Sequence, residues 1–275
     1  MPPVSVEYTS PEGNRTVAVL RLDDGKANAF NPTSLEAILS ALDEIDRSDA
    51  CALVVAGRPG FFSGGLDLKA LPLLSTADKR AVLSRFGEML LRVFTFRAPT
   101  VAAVTGHAIA GGALLALATD VRCGADLPAR FGVTEIAIGL PIPSFGVLLA
   151  KAALAPPALV EIALHARVLT LREAHARGVF FGLYPDEAVV DAAVAYAGEL
   201  ARLHGPAYAT TKHLLWDAEL ARIQAGFADE VVRFIDLFEA RFPGESRPGE
   251  PRPGDARSSE ARPVEPPPPE GSGRG

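Results

Sequence analysis

The sequence predicts an α/β fold: buried strands alternating with helices, then a largely helical second half. Three observations carry that expectation. Two uninterrupted apolar runs, Ala52–Ala56 and Thr100–Val104, have the composition of strands covered on both faces. Each is followed by a glycine-rich segment and then a helical pattern, the repetition expected of stacked strand–turn–helix units. From Phe145 onward, helical spacing of apolar residues dominates.

The elements follow in order. Residues 4–8 and Val17–Leu22 are β-rich runs separated by PEGNR, a hairpin-like pair. Pro32 opens a helix to about residue 45, because Leu35, Ile38, Leu39, Leu42 and Ile45 recur at helical spacing. Asn31 stands where an N-cap belongs. After Ala52–Ala56 and the segment FFSGGLDLK, an amphipathic helix over 78–96 ends before Pro99. The run Thr100–Val104 leads into a glycine turn, an apolar helix from about Gly111, and a further strand near Val121. Helices are expected over 145–154, 157–165, 171–177, 187–203, 206–223 and 226–241. Three regions result: a core over 1–185, a helical C-terminal region over 186–242, and a tail over 243–275. The tail is rich in Pro, Gly and charge and nearly devoid of apolar residues. It cannot offset its ordering entropy, and disorder is expected.

Bulk properties exclude several functions. A net charge of −6 argues against a broad surface for nucleic acid or anionic membrane, while leaving room for a local basic pocket. Only Cys51 and Cys123 are present, both in apolar runs, so a disulfide scaffold is not expected and a reducing, cytoplasmic compartment is. The start, MPPVSVEYTS, lacks the basic and apolar regions of a secretory signal. Residues 101–118 are apolar and long enough to raise a membrane span. Thr105, Gly106, His107, Gly111 and Gly112 interrupt them, and strand, turn and helix fit better. Five histidines and two cysteines show no metal-ligand spacing. No G-x-G-x-x-G opens a helix, and Ser63 lacks the flanking pattern of a nucleophile elbow.

Three segments carry candidate chemistry. FSGGLDL puts two glycines before Leu66, where the backbone can approach a ligand and present a free N–H. GHAIAGG follows a buried strand and opens a helix, so N–H groups near Gly111 sit at a helix N-terminus, favourable for developing negative charge. FGVTEIAIGLPIPSFG places a lone carboxylate, Glu135, in a mostly apolar loop, where desolvation should raise its pKa. Two backbone donors and a desolvated carboxylate make an oxyanion site with a nearby base. The same glycines also suit purely structural turns.

In order and spacing these segments, with KANAFNP and PTVAAVTGHAIAGGALLALATD, resemble the crotonase (enoyl-CoA hydratase/isomerase) superfamily over roughly residues 4–240. The resemblance implies a crotonase-like spiral of ββα turns with a helical C-terminal region, assembled as homotrimers or dimers of trimers. It implies an acyl-CoA thioester substrate, CoA being part of the substrate and no separate cofactor being needed. The oxyanion donors carried over are the N–H groups of Leu66 and Gly111, with Glu135 as acid/base. CoA would lie across Lys26, Ala27, Asn28 and Ala29 and across Leu66, Asp67, Leu68 and Lys69, with Gly65, Gly112 and Leu114 as further substrate-binding residues.

The departure from the family lies in the acids. Hydratases of the superfamily carry a second glutamate, at the position held here by Leu114. Water addition needs a carboxylate pair, whereas shifting a double bond needs one base beside an oxyanion hole. The pattern therefore resembles monofunctional Δ3,Δ2-enoyl-CoA isomerases of fatty-acid β-oxidation, with Leu114 helping to exclude water. A hydratase recruiting another acid, such as Glu88, is the alternative, and a non-catalytic acyl-CoA-binding homologue is a third. Asp67 matches a structural aspartate of the family. His107 is either a proton relay or a hydrogen-bonded structural histidine. Lys26, Arg58 and Lys69 flank the CoA loops and are candidates for its phosphates.

Overall fold

The computed structural model describes residues 3–11 and 15–243. Most of the PEGNR turn, and the tail beyond residue 243, lie outside them. Strand β1 (Val4–Thr9) pairs antiparallel with β2 (Val17–Leu22), and β2 runs parallel to β3 beyond helix α1 (Pro32–Arg47). Helix α1 starts where the sequence places it. The Asn31 carboxamide accepts from Ser34 N–H at 3.0 Å, Ser34 Oγ accepts from Asn31 N–H at 2.9 Å, and Pro32 needs no acceptor.

Each turn of the spiral then contributes one strand to each of two sheets. β3 (Ala52–Ala56) is followed by β4 (Gly60–Ser63) and helix α2 (Thr76–Phe94). β5 (Thr100–Val104) is followed by β6 (Gly106–Ile109) and helix α3 (Gly111–Leu117). β7 (Val121–Ala125) is followed by β8 (Arg130–Gly132) and α4 (Ser144–Ala153). After α5 (Pro156–Leu159), which passes into a π turn over Val160–Leu164, come β9 (Leu169–Thr170), α6 (Leu171–Ala176) and β10 (Gly182–Tyr184). The larger sheet has the order β1-β2-β3-β5-β7-β10 and the smaller β4-β6-β8-β9; the strands supplied by successive turns pair in parallel, except β9, which runs antiparallel to β8. The second sheet was not expected from sequence: β6 lies in the segment read as a glycine turn.

Burial on both faces explains the apolar runs. Leu53, Val55, Ala102 and Val104 point into the main core with α1, α2 and α3. The alternate residues Ala52, Val54, Val101 and Ala103 face helix α7 (Val189–Leu200), which meets them with Val189, Ala193 and Ala197. Alanines four residues apart put a smooth, small-residue stripe on the sheet. Helix α2 begins at Thr76, two residues before the expected start, because Ser75 Oγ accepts from Asp78 N–H at 3.1 Å.

The last helix departs furthest from expectation. Residues read as two helices, 206–223 and 226–241, form one, α8 (Gly205–Arg241), about 55 Å long at 1.5 Å per residue. Gly226 lowers helix propensity without breaking the chain, and no proline interrupts it after Pro206. Its N-terminal half is held by Asp120, which takes Tyr208 Oη at 2.8 Å and Lys212 Nζ at 2.9 Å. Its C-terminal half crosses α2 and α4.

Candidate functional site

The site begins at the end of β4. Ser63 Oγ donates to Asn28 O at 2.8 Å and accepts Gly65 N–H at 3.1 Å. Gly64 N–H donates to Ala27 O, Phe30 N–H to Gly65 O and Asp67 N–H to Phe30 O, at 2.8, 2.8 and 2.9 Å. The loops around residues 26–30 and 63–67 are thus laced together, with a parallel bridge between Phe30 and Leu66. That ladder uses the amides on either side of Leu66. Leu66 N–H itself meets no protein acceptor among the described residues. Asn28 is the hinge of the pair: it adopts φ +50°, and its carboxamide bonds Asp24 N–H, Leu22 O and Phe62 O.

The second donor comes from the start of α3, where the first N–H groups lack intrahelical acceptors. Ala110 takes φ +50°, a strained value for a residue with a Cβ, and its N–H is tied to Gly132 O at 2.8 Å. Gly111 N–H, next in the chain, meets no protein acceptor among the described residues. Glycine is required where the two loops touch. Gly65 has φ +83°, and a Cβ there would lie 2.8 Å from the Gly111 nitrogen. A Cβ at Gly112 would lie 2.0 Å from Ser63 O.

Glu135 follows β8 and precedes a single 3-10 turn, Ile136–Ile138, which it holds by accepting Ile138 and Leu140 N–H on its own carbonyl. Its Oε2 is buried without a hydrogen-bond partner among the described residues. Burial pushes the Glu135 carboxyl above its ordinary 4.5, against a smaller opposing pull from the backbone N–H groups of Glu135 and Thr134. A carboxylate so placed has an open lone pair and no ion-pair partner among the described residues.

Leu66, Gly111, Glu135 and Leu114 line one apolar cavity of about 90 Å3. Leu68 and Gly64 also border it, and Gly65 and Gly112 stand directly behind its wall. Lys26, Ala27, Asn28, Ala29, Asp67 and Lys69 lie outside that lining, in the two laced loops. Lys26 and Lys69 are exposed there. Asp67 organises its turn by accepting Lys69 and Ala70 N–H at 3.0 and 3.1 Å. Arg58 donates to Lys26 O at 2.9 Å and pairs with Asp23 at 3.5 Å. Glu88 faces away, paired with Arg85 at 3.0 Å. His107 accepts Arg130 N–H at 3.2 Å and packs on Phe61.

Sequence reasoning missed the rest of the apolar lining: Leu71, Leu83 and Phe86 from the α2 side, and the far wall, Phe234 and Phe238 of α8. The two phenylalanines of α8 are four residues apart, a spacing that reads equally well as ordinary core. Among the described residues no group of His, Cys, Asp and Glu could hold a metal ion. No described helix is long and apolar enough to cross a membrane.

The family model described as enoyl-CoA hydratase/isomerase matches residues 12–241. The chain belongs to the enoyl-CoA hydratase/isomerase family. It is 35% identical to a Thermus thermophilus protein that bears the provisional name enoyl-CoA hydratase, over 77% of this chain and 85% of that one. Among solved structures, an apo enoyl-CoA isomerase of Mycobacterium tuberculosis is 34% identical with a TM-score of 0.75, covering 84% of this chain and 98% of that one. Human mitochondrial Δ3,Δ2-enoyl-CoA isomerase, at 23% identity, shares the fold with a TM-score of 0.80 over 87% of this chain and 95% of its own. The crotonase superfamily membership and the α/β spiral expected from sequence are therefore shown, and the relatives' names divide between hydratase and isomerase.

Proposed function

We propose that this family member is a Δ3,Δ2-enoyl-CoA isomerase working through a single base, Glu135. One observation carries the reading: Glu135 is the one carboxylate lining the cavity among the described residues, and its Oε2 has no partner. Leu114, 1% exposed, fills the position from which a second acid would act. The thioester oxygen accepts from Leu66 and Gly111 N–H. Glu135 removes the C2 proton, the C–H pair forms C1=C2 as the carbonyl π pair moves onto the thioester oxygen, and C3=C4 is retained in the dienolate; when C4 is protonated the oxyanion collapses, C2=C3 forms and C3=C4 is lost. The same carboxyl then returns the proton to C4, so no proton is gained or lost overall. The apolar lining keeps water from the dienolate. CoA lies across the laced loops, where Lys26 and Lys69 offer unengaged charge to its phosphates. Assembly into trimers or paired trimers belongs to the same proposal.

Hydratase is the second reading, favoured by the name of the Thermus relative. It requires another acid, and Glu88 is engaged by Arg85 outside the cavity. The deciding experiment compares 3-hexenoyl-CoA and crotonyl-CoA with wild type and Glu135→Gln. Isomerisation, followed as the rise in conjugated-thioester absorbance, should be far faster than hydration and nearly abolished in the variant. Hydration as fast as isomerisation would overturn the proposal, and tight binding without turnover would point to a non-catalytic acyl-CoA binder.

A further inference from the structure

The cavity has two ends of different character. At the reaction end, Phe86 lies against the second glycine turn: a Cβ on Gly111 would come within 2.7 Å of its ring. At the other end the wall comes from α8, through Phe234 (6% exposed) and Phe238 (1% exposed). That wall is fastened on three sides. Glu239 accepts from Thr76 Oγ1 at 2.6 Å and Lys79 Nζ at 2.9 Å on α2. Glu230 accepts Ser144 N–H at 2.6 Å at the start of α4. Arg241 Nε donates to Ile138 O at 3.0 Å, on the turn that begins with Glu135.

The space between the ends is small. Binding pockets for small molecules commonly run from about 300 to 1,000 Å3, whereas this cavity measures about 90 Å3. A water needs about 10–15 Å3 of such space, so the cavity has room for about six to nine water-sized groups. The thioester carbonyl and carbons C2 to C4 take most of that space, leaving room for a few carbons more. The fastened α8 wall then stands in the path of a longer chain.

We infer that the site selects short acyl thioesters, of about four to six carbons, and that Phe234 and Phe238 set the limit. This rests on the acyl-CoA reading above. It concerns where the chain lies and not which bond reacts.

The test is binding of saturated acyl-CoA thioesters from C2 to C16 to the full chain by titration calorimetry, which needs no turnover. Each methylene that enters the cavity should raise affinity about fourfold, and the rise should stop by about C6 and reverse by C8 to C10. Phe234→Leu and Phe234→Ala, with the same pair at Phe238, should move the turning point to longer chains. The C10-to-C4 affinity ratio should grow at least tenfold. The leucine variants guard against loss of fold. Wild-type affinity that climbs steadily to C12 or C16 overturns the inference, as does an unchanged length profile in folded variants. A short-chain binding profile without isomerisation of 3-hexenoyl-CoA would sink the isomerase assignment alone. Isomerisation without a length limit would sink only the role of α8.

Discussion

A single methyl group at Gly112 should separate the two halves of the oxyanion site. The added Cβ would lie 2.0 Å from Ser63 O and 2.6 Å from Ser63 C. Neither atom can swing aside as a side chain would, since both are backbone at the end of β4. Relief to a tolerable contact of about 3 Å requires the strand end and α3 to part by about 1 Å. Ser63 carries the hydrogen bond that fixes Gly65 N–H, so the displacement is passed to Leu66, one residue on. Removing one oxyanion donor costs about 100- to 1,000-fold in turnover, and a misplacement of about 1 Å costs about 100-fold. Gly112→Ala should therefore lower kcat for 3-hexenoyl-CoA by about 100-fold. It should also cost about 1–3 kcal/mol of stability, the usual penalty of overpacking. Steady-state kinetics with a thermal melt on the same preparation separates the two effects. A folded variant with kcat within threefold of wild type would show that the contact between β4 and α3 does not position the donors.

Other predictions follow from neighbouring features. The proposed base role requires Glu135 ionised, so kcat/KM should fall as pH drops through its raised pKa. Stability runs the other way, because a carboxyl whose folded pKa is raised contributes most below its unfolded pKa and loses that contribution as pH rises through the folded one. Glu135→Gln should thus gain melting temperature over wild type as pH rises from 4 to 8, and a gap that narrows instead would contradict the burial argument. Leu114→Glu should bring measurable hydration of crotonyl-CoA at the expense of stability, and absence of any hydration in a folded variant would count against Leu114 as the missing acid's position. Arg241→Ala removes a tie of about 1 kcal/mol to the Glu135 turn. A roughly fivefold fall in kcat is expected, and no change would leave that tie without catalytic consequence. Asp120→Ala strands the buried Lys212 ammonium and frees Tyr208 and Thr100. Urea titration should register a loss of about 3–5 kcal/mol, and a loss below 1 kcal/mol would mean that water replaces the carboxylate.

What the sequence revealed follows from which forces are local. β3 and β5 were legible because helices cover both faces of their sheet, leaving no polar alternation to obscure them. The capped start of α1 was legible because Asn31, Pro32 and Ser34 act within four residues. The second sheet was hidden because its strands are two to four residues long and three of the four carry glycine, which leaves no periodic signal. Leu66, Gly111 and Glu135 could be named beforehand since each sits in its own motif. Their shared lining of one cavity was supplied by the spiral, which stacks turns distant in sequence. Ser63 drew notice only as a failed nucleophile, whereas its hydroxyl holds the donor loop. Phe234 and Phe238 were out of reach: about 100 residues separate them from Glu135, and nothing local marks a buried phenylalanine as a wall.

That distance bears on the order of events as the chain is made. The donor loops, the base and Leu114 all precede residue 136, yet their cavity has no far wall until Phe234 and Phe238 have been added. A nascent chain folded through α7 would leave Leu66, Gly111, Leu114 and Glu135 lining an open, wet trough. Maturation of the site thus waits on the helix that contributes none of its chemistry. Damage to that helix by proteolysis between Gly226 and Phe234 would extinguish turnover while the spiral and its glycine turns still stand.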